Sequence, residues 1–353
     1  MITISARRSA WPRLVRLVFV FCLVMIGRAG LAAEPADGTG CTAIKNDRER
    51  LQCYDRAAGR GEAKPTVKPE EQFQQLGLPR APVVAPGAAP PTPLSVRWEL
   101  DPETKQGPWV LRPHQPLFLL PVVRTDNPND SPQSPSHPLP FDAPLQKNEA
   151  EFQLSFKFKA WENILGSNAD FWVAYTQQSQ WQVYNHQHSA PFRETNYMPE
   201  LFVLFPTHYN LLGLNGRFAS VGFLHQSNGR ANPLSRSWNR VYGQFGFERG
   251  NFNLLVRPWI RIQDSADDDD NSDIIRYEGY GDVTGIYLWG KQEFSVTARY
   301  NAGNFSSTDT WSFPIQGRLK GYVKITTGYG ETLIDYNWRQ NTIGAGILLV
   351  DWL

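Results

Sequence analysis

The stretch EFQLSFKFKA, residues 151–160, sets Phe152, Leu154, Phe156 and Phe158 at alternate positions, with Gln153, Ser155, Lys157 and Lys159 between them. A period of two is the geometry of a strand, whose successive side chains point to opposite faces, so this segment has one apolar face and one charged face. The pattern returns downstream. Phe252, Leu254, Val256, Ile260 and Ile262 alternate with Asn253, Arg257 and Arg261, although Leu255 and Trp259 break the rule. Phe294, Val296, Ala298 and Tyr300 alternate with Glu293, Ser295, Thr297 and Arg299.

Alternation alone also fits a soluble sandwich, and the connections discriminate. Read back from the C-terminus, residues 328–337 form a longer connection and 315–318 a tight one. Residues 301–308 read as long, 289–291 as tight, 264–273 as long and 248–251 as tight. Upstream, 227–237, 184–192 and 124–148 read as outer loops, and 207–215 and 162–168 as turns at the opposite end, with a first strand near 117–123. Brief turns at one end and extended loops at the other are the asymmetry of a transmembrane antiparallel β-barrel. The sum is about twelve strands, the even number expected of a single bacterial chain. The fold class is therefore all-β.

The N-terminus sets the compartment. Arg7, Arg8, Arg13 and Arg16 precede the apolar run 17–26, and the small residues Gly30, Ala32 and Ala33 follow, so residues 1–33 read as a secretory signal peptide. No later stretch has the roughly 20 apolar residues that a spanning helix needs. The chain is 41% hydrophobic, with 12 Trp, 13 Tyr and 20 Phe, a composition suited to an exported β-domain. A formal charge of +1 gives no field to attract nucleic acid or any strongly charged partner. Cys22 leaves with the signal, and Cys41 and Cys53 form a close pair within a small periplasmic segment, 34–62. A disulfide there would close a loop of roughly a dozen residues and add about 3 kcal/mol to that unit. Residues 63–94, dense in Pro and Ala, read as a linker, and 95–353 as the barrel.

The inward charges Lys157, Lys159, Arg257, Arg261, Arg299, Lys320 and Lys324 fit either an aqueous pore or an interior filled by ion pairs. The acidic run 267–270 falls in an outer loop and reads as a solvated tip, able to bind divalent ions at the surface, more than as a dedicated site.

Chemistry concentrates in GFLHQSNGRANPLSRSWN, residues 222–239. Val221 and Phe223 belong to an apolar outward row that continues into His225 and Ser227. Across the loop, Asn239 shares the outward parity of Val241, Phe245 and Phe247. Polar groups facing hydrocarbon are costly without partners. Each of the three alone reads as a polar residue at the membrane boundary. Together they also read as a hydrogen-bonded hydroxyl, imidazole and carboxamide of a hydrolase.

These residues carry a resemblance. HQSNG with RANPLSRSWNR is similar to the signature of the outer membrane phospholipase A family, and HSAPFRETNY (188–197) and GYGETLIDYN (328–337) resemble segments of the same family. The resemblance runs from about residue 113 to the C-terminus. It implies a twelve-stranded barrel in the bacterial outer membrane that hydrolyses acyl esters of phospholipids and lysophospholipids, with A1 and A2 regiochemistry, as a calcium-bound homodimer. Carried over by position, Ser227 is the nucleophile, His225 the general base and Asn239 the residue that orients the ring. The Gly229 amide serves the oxyanion, and calcium takes the Arg230 carbonyl, the Ser235 hydroxyl and the hydroxyl of Ser189 of the partner subunit. Gln177 matches a polar residue of the dimer face, and Tyr197 one lining the acyl-chain groove. Leu353 departs from the family, whose barrels commonly finish in Phe, which bears on assembly more than on activity. Two other readings stay open: a barrel acting as a pore or scaffold, and a calcium-independent esterase for soluble substrates.

Overall fold

A computed structural model describes residues 38–58, 90–138, 144–265 and 267–353. The expected signal peptide and most of the expected linker lie outside them. The chain divides into two compact units, 1–68 and 69–353. In the first, a 3-10 turn (Gly38–Ala43) precedes helix α1 (Asp47–Ala57), and Cys41 and Cys53 are joined by the expected disulfide. Asp47 and Glu49 in the first turn and Arg56 in the last match the helix dipole.

The second unit is a closed antiparallel barrel. Its strands are β1 (Leu117–Thr125), β2 (Asn148–Trp161), β3 (Asp170–Trp181), β4 (Phe192–Leu211), β5 (Leu214–Ser227) and β6 (Ser237–Arg249). They continue with β7 (Phe252–Ile262), β8 (Gly281–Trp289), β9 (Gln292–Asn301), β10 (Asn304–Gln316), β11 (Leu319–Gly328) and β12 (Gln340–Val350). Each strand pairs with the next, and β12 closes on β1 from Thr342 opposite Thr125 to Val350 opposite Leu117. Closure leaves no unpaired edge, which a wall in hydrocarbon requires. Among the described residues no helix is long and apolar enough to cross a membrane.

Burial is inverted relative to a soluble protein. Along β2, Glu151, Gln153, Ser155, Lys157 and Lys159 are buried, while Leu154 is exposed and Phe152, Phe156 and Phe158 are half-exposed. The greasy face of the opening stretch thus points outward and the charged face into the lumen, as the period of two requires.

The loop pattern holds with one correction. Residues 126–138 with 144–147, 182–191, 228–236, 263–265 with 267–280, and 329–339 gather at one end, and the tight turns at the other. The connection expected to be long at 301–308 is a two-residue hairpin: only Ala302 and Gly303 separate β9 from β10. Both have positive φ, +48° and +88°, the conformation that matches strand twist in a two-residue hairpin. The polar run after them reads as a loop by composition, yet Asn304 to Thr308 all pair with β9. The turn expected over 207–215 narrows in the same way to Leu212 and Gly213, because β4 resumes pairing at Tyr209 and runs through Leu211.

The lumen is filled. Lys159 lies 2.9 Å from both Glu99 and Asp170, Arg257 lies 2.6 Å from Asp282, and Lys324 pairs with Glu151, Lys320 with Asp351 and Arg299 with Glu278. A chain segment ahead of the strands completes the filling. Helix α2 (Pro93–Trp98) starts on a Thr92 cap, whose hydroxyl accepts from Ser95 N at 3.2 Å, with Pro at the first helical position. The helix buries Leu94 and Trp98, and Leu100 follows them, among Trp172, Phe202, Leu204 and Phe218. Leu255 and Trp259 break the alternation of β7 for this reason: they face inward, into the same cluster. The Lys157 ammonium sits 3.2 Å from the centre of the Trp98 ring, a desolvated cation–π contact. Arg97 donates to the backbone carbonyls of Asp351 and Trp352, so the plug grips the end of the last strand. Among the described residues a cavity of about 210 Å³ remains, lined largely by polar side chains.

Candidate active site

At the long-loop end, β5 and β6 pair so that His225 stands opposite Asn239 and Ser227 opposite Ser237, while Tyr197 of β4 stands opposite Ser227. Val221, Phe223, Val241 and Phe245 are exposed, and Leu224, Trp238, Arg240 and Tyr242 are buried. Parity therefore puts His225, Ser227 and Asn239 on the outward wall, with the apolar row beneath them.

His225 Nδ1 lies 2.8 Å from Asn239 Oδ1. A carboxamide oxygen only accepts, so Nδ1 carries the proton and Nε2 keeps its lone pair on the other side of the ring. Ser227 is two residues along the same face, about 6 to 7 Å from His225 along a strand. No hydrogen bond joins their side chains in this structure. The strand segment is held from inside by Gln226, whose Oε1 accepts from Trp238 Nε1 at 3.0 Å and Arg240 Nη2 at 2.9 Å.

The loop 228–236 is tied down by one side chain. Asn228 is buried; its Oδ1 accepts from Arg236 N at 3.0 Å and Arg230 N at 3.3 Å, and its Nδ2 donates to Leu234 O at 2.8 Å. Between Asn228 and Arg230, Gly229 has φ +65°, and a Cβ there would come within 3.1 Å of the Tyr197 ring. Conformation and space both call for glycine, which aims this backbone turn beside Ser227. Arg230 donates to the Phe192 carbonyl at 3.0 Å and its Nε lies 3.5 Å from Glu194.

The remaining expected residues fall as follows. The Ser235 hydroxyl donates to Asp270, which departs from the expectation of a solvated acidic tip: Asp267 and Asp268 are exposed, but Asp269 pairs with Arg261 at 2.6 Å and Asp270 turns in to Ser235. Ser189 follows the short turn His186–His188 with φ +62°, exposed in a different loop from Arg230 and Ser235. Gln177 stands opposite Tyr197 on the outward wall, where Tyr175 Oη donates to its carbonyl at 3.0 Å. Gln177, Tyr197 and Ser227 thus form one row across β3, β4 and β5.

Sequence reasoning missed two further groups. Gln226 gave only a buried parity. Asp264, two residues past the end of β7, accepts from Asn239 Nδ2 at 3.4 Å. Burial pushes the Asp264 carboxyl up and Asp269 adds to this, while Arg261, Asn239 and His225 pull it back. The register could have found it: Asn239 stands opposite Ile262, so Asp264 has the same outward parity one step beyond. No cluster of three or more His, Cys, Asp or Glu side chains able to hold a metal occurs among the described residues. A cation here would take hydroxyl and carbonyl oxygens.

Residues 94–349 match the phospholipase A1 family. The chain is 39% identical over 246 residues to phospholipase A1 of Klebsiella pneumoniae, covering 69% of this chain and 84% of that one. It superposes on the outer membrane phospholipase A of Escherichia coli with a TM-score of 0.62 at 36% identity, covering 69% of this chain and 95% of that one. It also superposes on a Salmonella typhi outer membrane phospholipase, described as a dimer with bound calcium, with a TM-score of 0.66 at 36% identity, covering 73% and 98%. The inverted barrel, the outward polar cluster and these similarities agree: the chain belongs to the phospholipase A1 family and is an ester hydrolase of the outer membrane.

Proposed function

We propose that this chain hydrolyses acyl esters of phospholipids and lysophospholipids, with A1 and A2 regiochemistry, through Ser227, His225 and Asn239, and that it does so with calcium as a homodimer. The observation that carries the reading is the 2.8 Å contact between His225 and Asn239 on the outward wall, beside a serine of the same face. In the scheme, Ser227 Oγ attacks the ester carbonyl and passes its proton to His225 Nε2. The same proton goes to the departing glyceryl oxygen, leaving an acyl-serine. Water repeats the cycle, giving its proton to Nε2 and releasing a fatty acid and the serine. Asn239 holds the ring and its tautomer throughout. Because the groups face lipid, the acyl chain enters sideways from the membrane, and the exposed row of Val221, Phe223 and Val241 is an apolar bed for it.

The donor set suits calcium, a hard cation that takes flexible oxygen coordination. The Arg230 carbonyl and the Ser235 hydroxyl would hold it, with Ser189 of the partner subunit, and Asp270 on the Ser235 hydroxyl adds negative charge beside them. When bound, the ion supplies positive charge to the developing oxyanion next to the Gly229 amide. A ligand from the partner would make activity depend on dimerisation, and Gln177 and Tyr197 would lie on the face that the second copy covers.

The experiment is phospholipid hydrolysis in mixed micelles with calcium. Wild type is expected to turn over and to stop on chelation, and Ser227→Ala to lose activity. Full hydrolysis by the serine variant would sink the assignment.

A further inference from the structure

We propose that Asp264 is a positioning residue for the reaction, a carboxylate one step behind Asn239 that fixes the orientation of its amide and lends negative charge to the imidazole through it. The inference rests on reading Ser227, His225 and Asn239 as the reacting groups.

A neutral carboxamide is an ambiguous partner for a histidine, because its two ends differ only in whether they accept or donate. Presented with the oxygen, it accepts from Nδ1–H and leaves Nε2 free as a base. Presented with the nitrogen, it donates to Nδ1 and leaves the proton on Nε2, where no proton can be taken from serine. Something on the far side of Asn239 must choose. Here that is Asp264, whose Oδ1 lies 3.4 Å from Asn239 Nδ2 while Asn239 Oδ1 lies 2.8 Å from His225 Nδ1. A carboxylate accepts and does not donate, so it tolerates only the amide nitrogen. The flipped amide would set oxygen against carboxylate and nitrogen against the ring. The same carboxylate polarises the amide toward a more negative Oδ1, a better partner for the imidazolium that forms as serine gives up its proton. The charged groups facing Asp264 are Asp269 and Arg261, of opposite sign, and His225 itself. The position follows from the strand register: Ile262 is opposite Asn239, and Asp264 continues its outward row.

The test is steady-state hydrolysis by full-length protein in mixed micelles with calcium, for wild type, Asp264→Asn, Asn239→Asp and the double variant, with thermal unfolding measured alongside. Asp264→Asn is expected to lower kcat by about 5- to 20-fold, at and below the lower end of the range for one charge-assisted hydrogen bond, as the long 3.4 Å contact implies, with KM within about twofold and unfolding unchanged. In the Asn239→Asp background the sign should reverse. There the third residue carries its own charge, Asp264 becomes a like-charged neighbour, and its neutralisation should raise kcat by about threefold or more. Unchanged kcat in Asp264→Asn overturns the proposal. So does an equal loss in both backgrounds, or a loss that comes with lowered unfolding, since each marks a loop-packing role. Should Asn239→Asp be too slow to measure, the single variant decides by kcat, KM and unfolding together. A wild type inactive toward phospholipid, or an active Ser227→Ala, would instead remove the reading on which this rests.

Discussion

The two faces of the barrel wall use the same side-chain chemistry to opposite ends. Inside the barrel, ionisable groups are held redundantly: Lys159 has Glu99 and Asp170 at 2.9 Å each, and Arg193 pairs with Glu149 and Asp335. Outside, at the long-loop end of β5 and β6, the polar groups run in a single file from Asp264 to Asn239 to His225, with Ser227 beyond. Removing one partner inside leaves each buried charge with another. Removing one outside leaves the wall intact and, on the proposed reading, frees the imidazole from its orientation. Redundancy suits the interior of a membrane wall, and a linear chain suits the proposed role of an imidazole that gains and loses a proton in each cycle.

That contrast can be broken in a definite order. The largest effect is expected outside: His225→Ala should cut hydrolysis by at least about 10³-fold while the barrel unfolds at the same temperature. A matching loss of thermal stability would dissolve the distinction between the faces. Next come the inward variants. Trp98→Ala should destabilise the barrel by about 3–5 kcal/mol in urea unfolding by emptying the plug and uncovering Lys157, and Lys159→Met, which leaves Glu99 to Arg112 and Asp170 to Lys105, should cost less, about 1–3 kcal/mol. Both should leave KM for phospholipid near that of wild type. Smaller again, Asn239→Ala should reduce kcat by roughly 10- to 100-fold, the loss of one hydrogen bond of about 1.5–3 kcal/mol to an imidazolium. The smallest contrast lies within the acidic loop. Asp270→Ala should raise the calcium concentration for half-maximal activity, because that carboxylate sits on Ser235, and Asp267→Asn, exposed, should leave it unchanged. Equal responses would return the whole run to a solvated tip.

The wall was legible in the sequence because period two is a strong signal where one face meets lipid and the other does not; residues 151–160 alone distinguish the faces. The outward placement of His225, Ser227 and Asn239 follows from the same parity. The plug was not legible, since α2 is six residues long and shows no period, and its trace lay instead in its partners: Leu255 and Trp259 are apolar at inward positions because Leu94 and Trp98 need a surface to pack on. The 302–303 hairpin was hidden by composition. Asn, Ser and Thr read as loop until cross-strand pairing overrides propensity, and the signal that remained was the Ala–Gly pair able to adopt positive φ. Asp264, Asp270 and Gln226 were invisible for another reason. Their roles depend on which loop returns to which strand end, and that is a property of the closed register, not of any local stretch.

The most direct measurement is covalent labelling of the detergent-solubilised protein by a long-chain alkyl fluorophosphonate, located by peptide mass spectrometry. The account predicts one label, on Ser227, abolished in His225→Ala and slowed in Asn239→Ala. A label on another residue, or labelling of Ser227 that proceeds unchanged without His225, would contradict it.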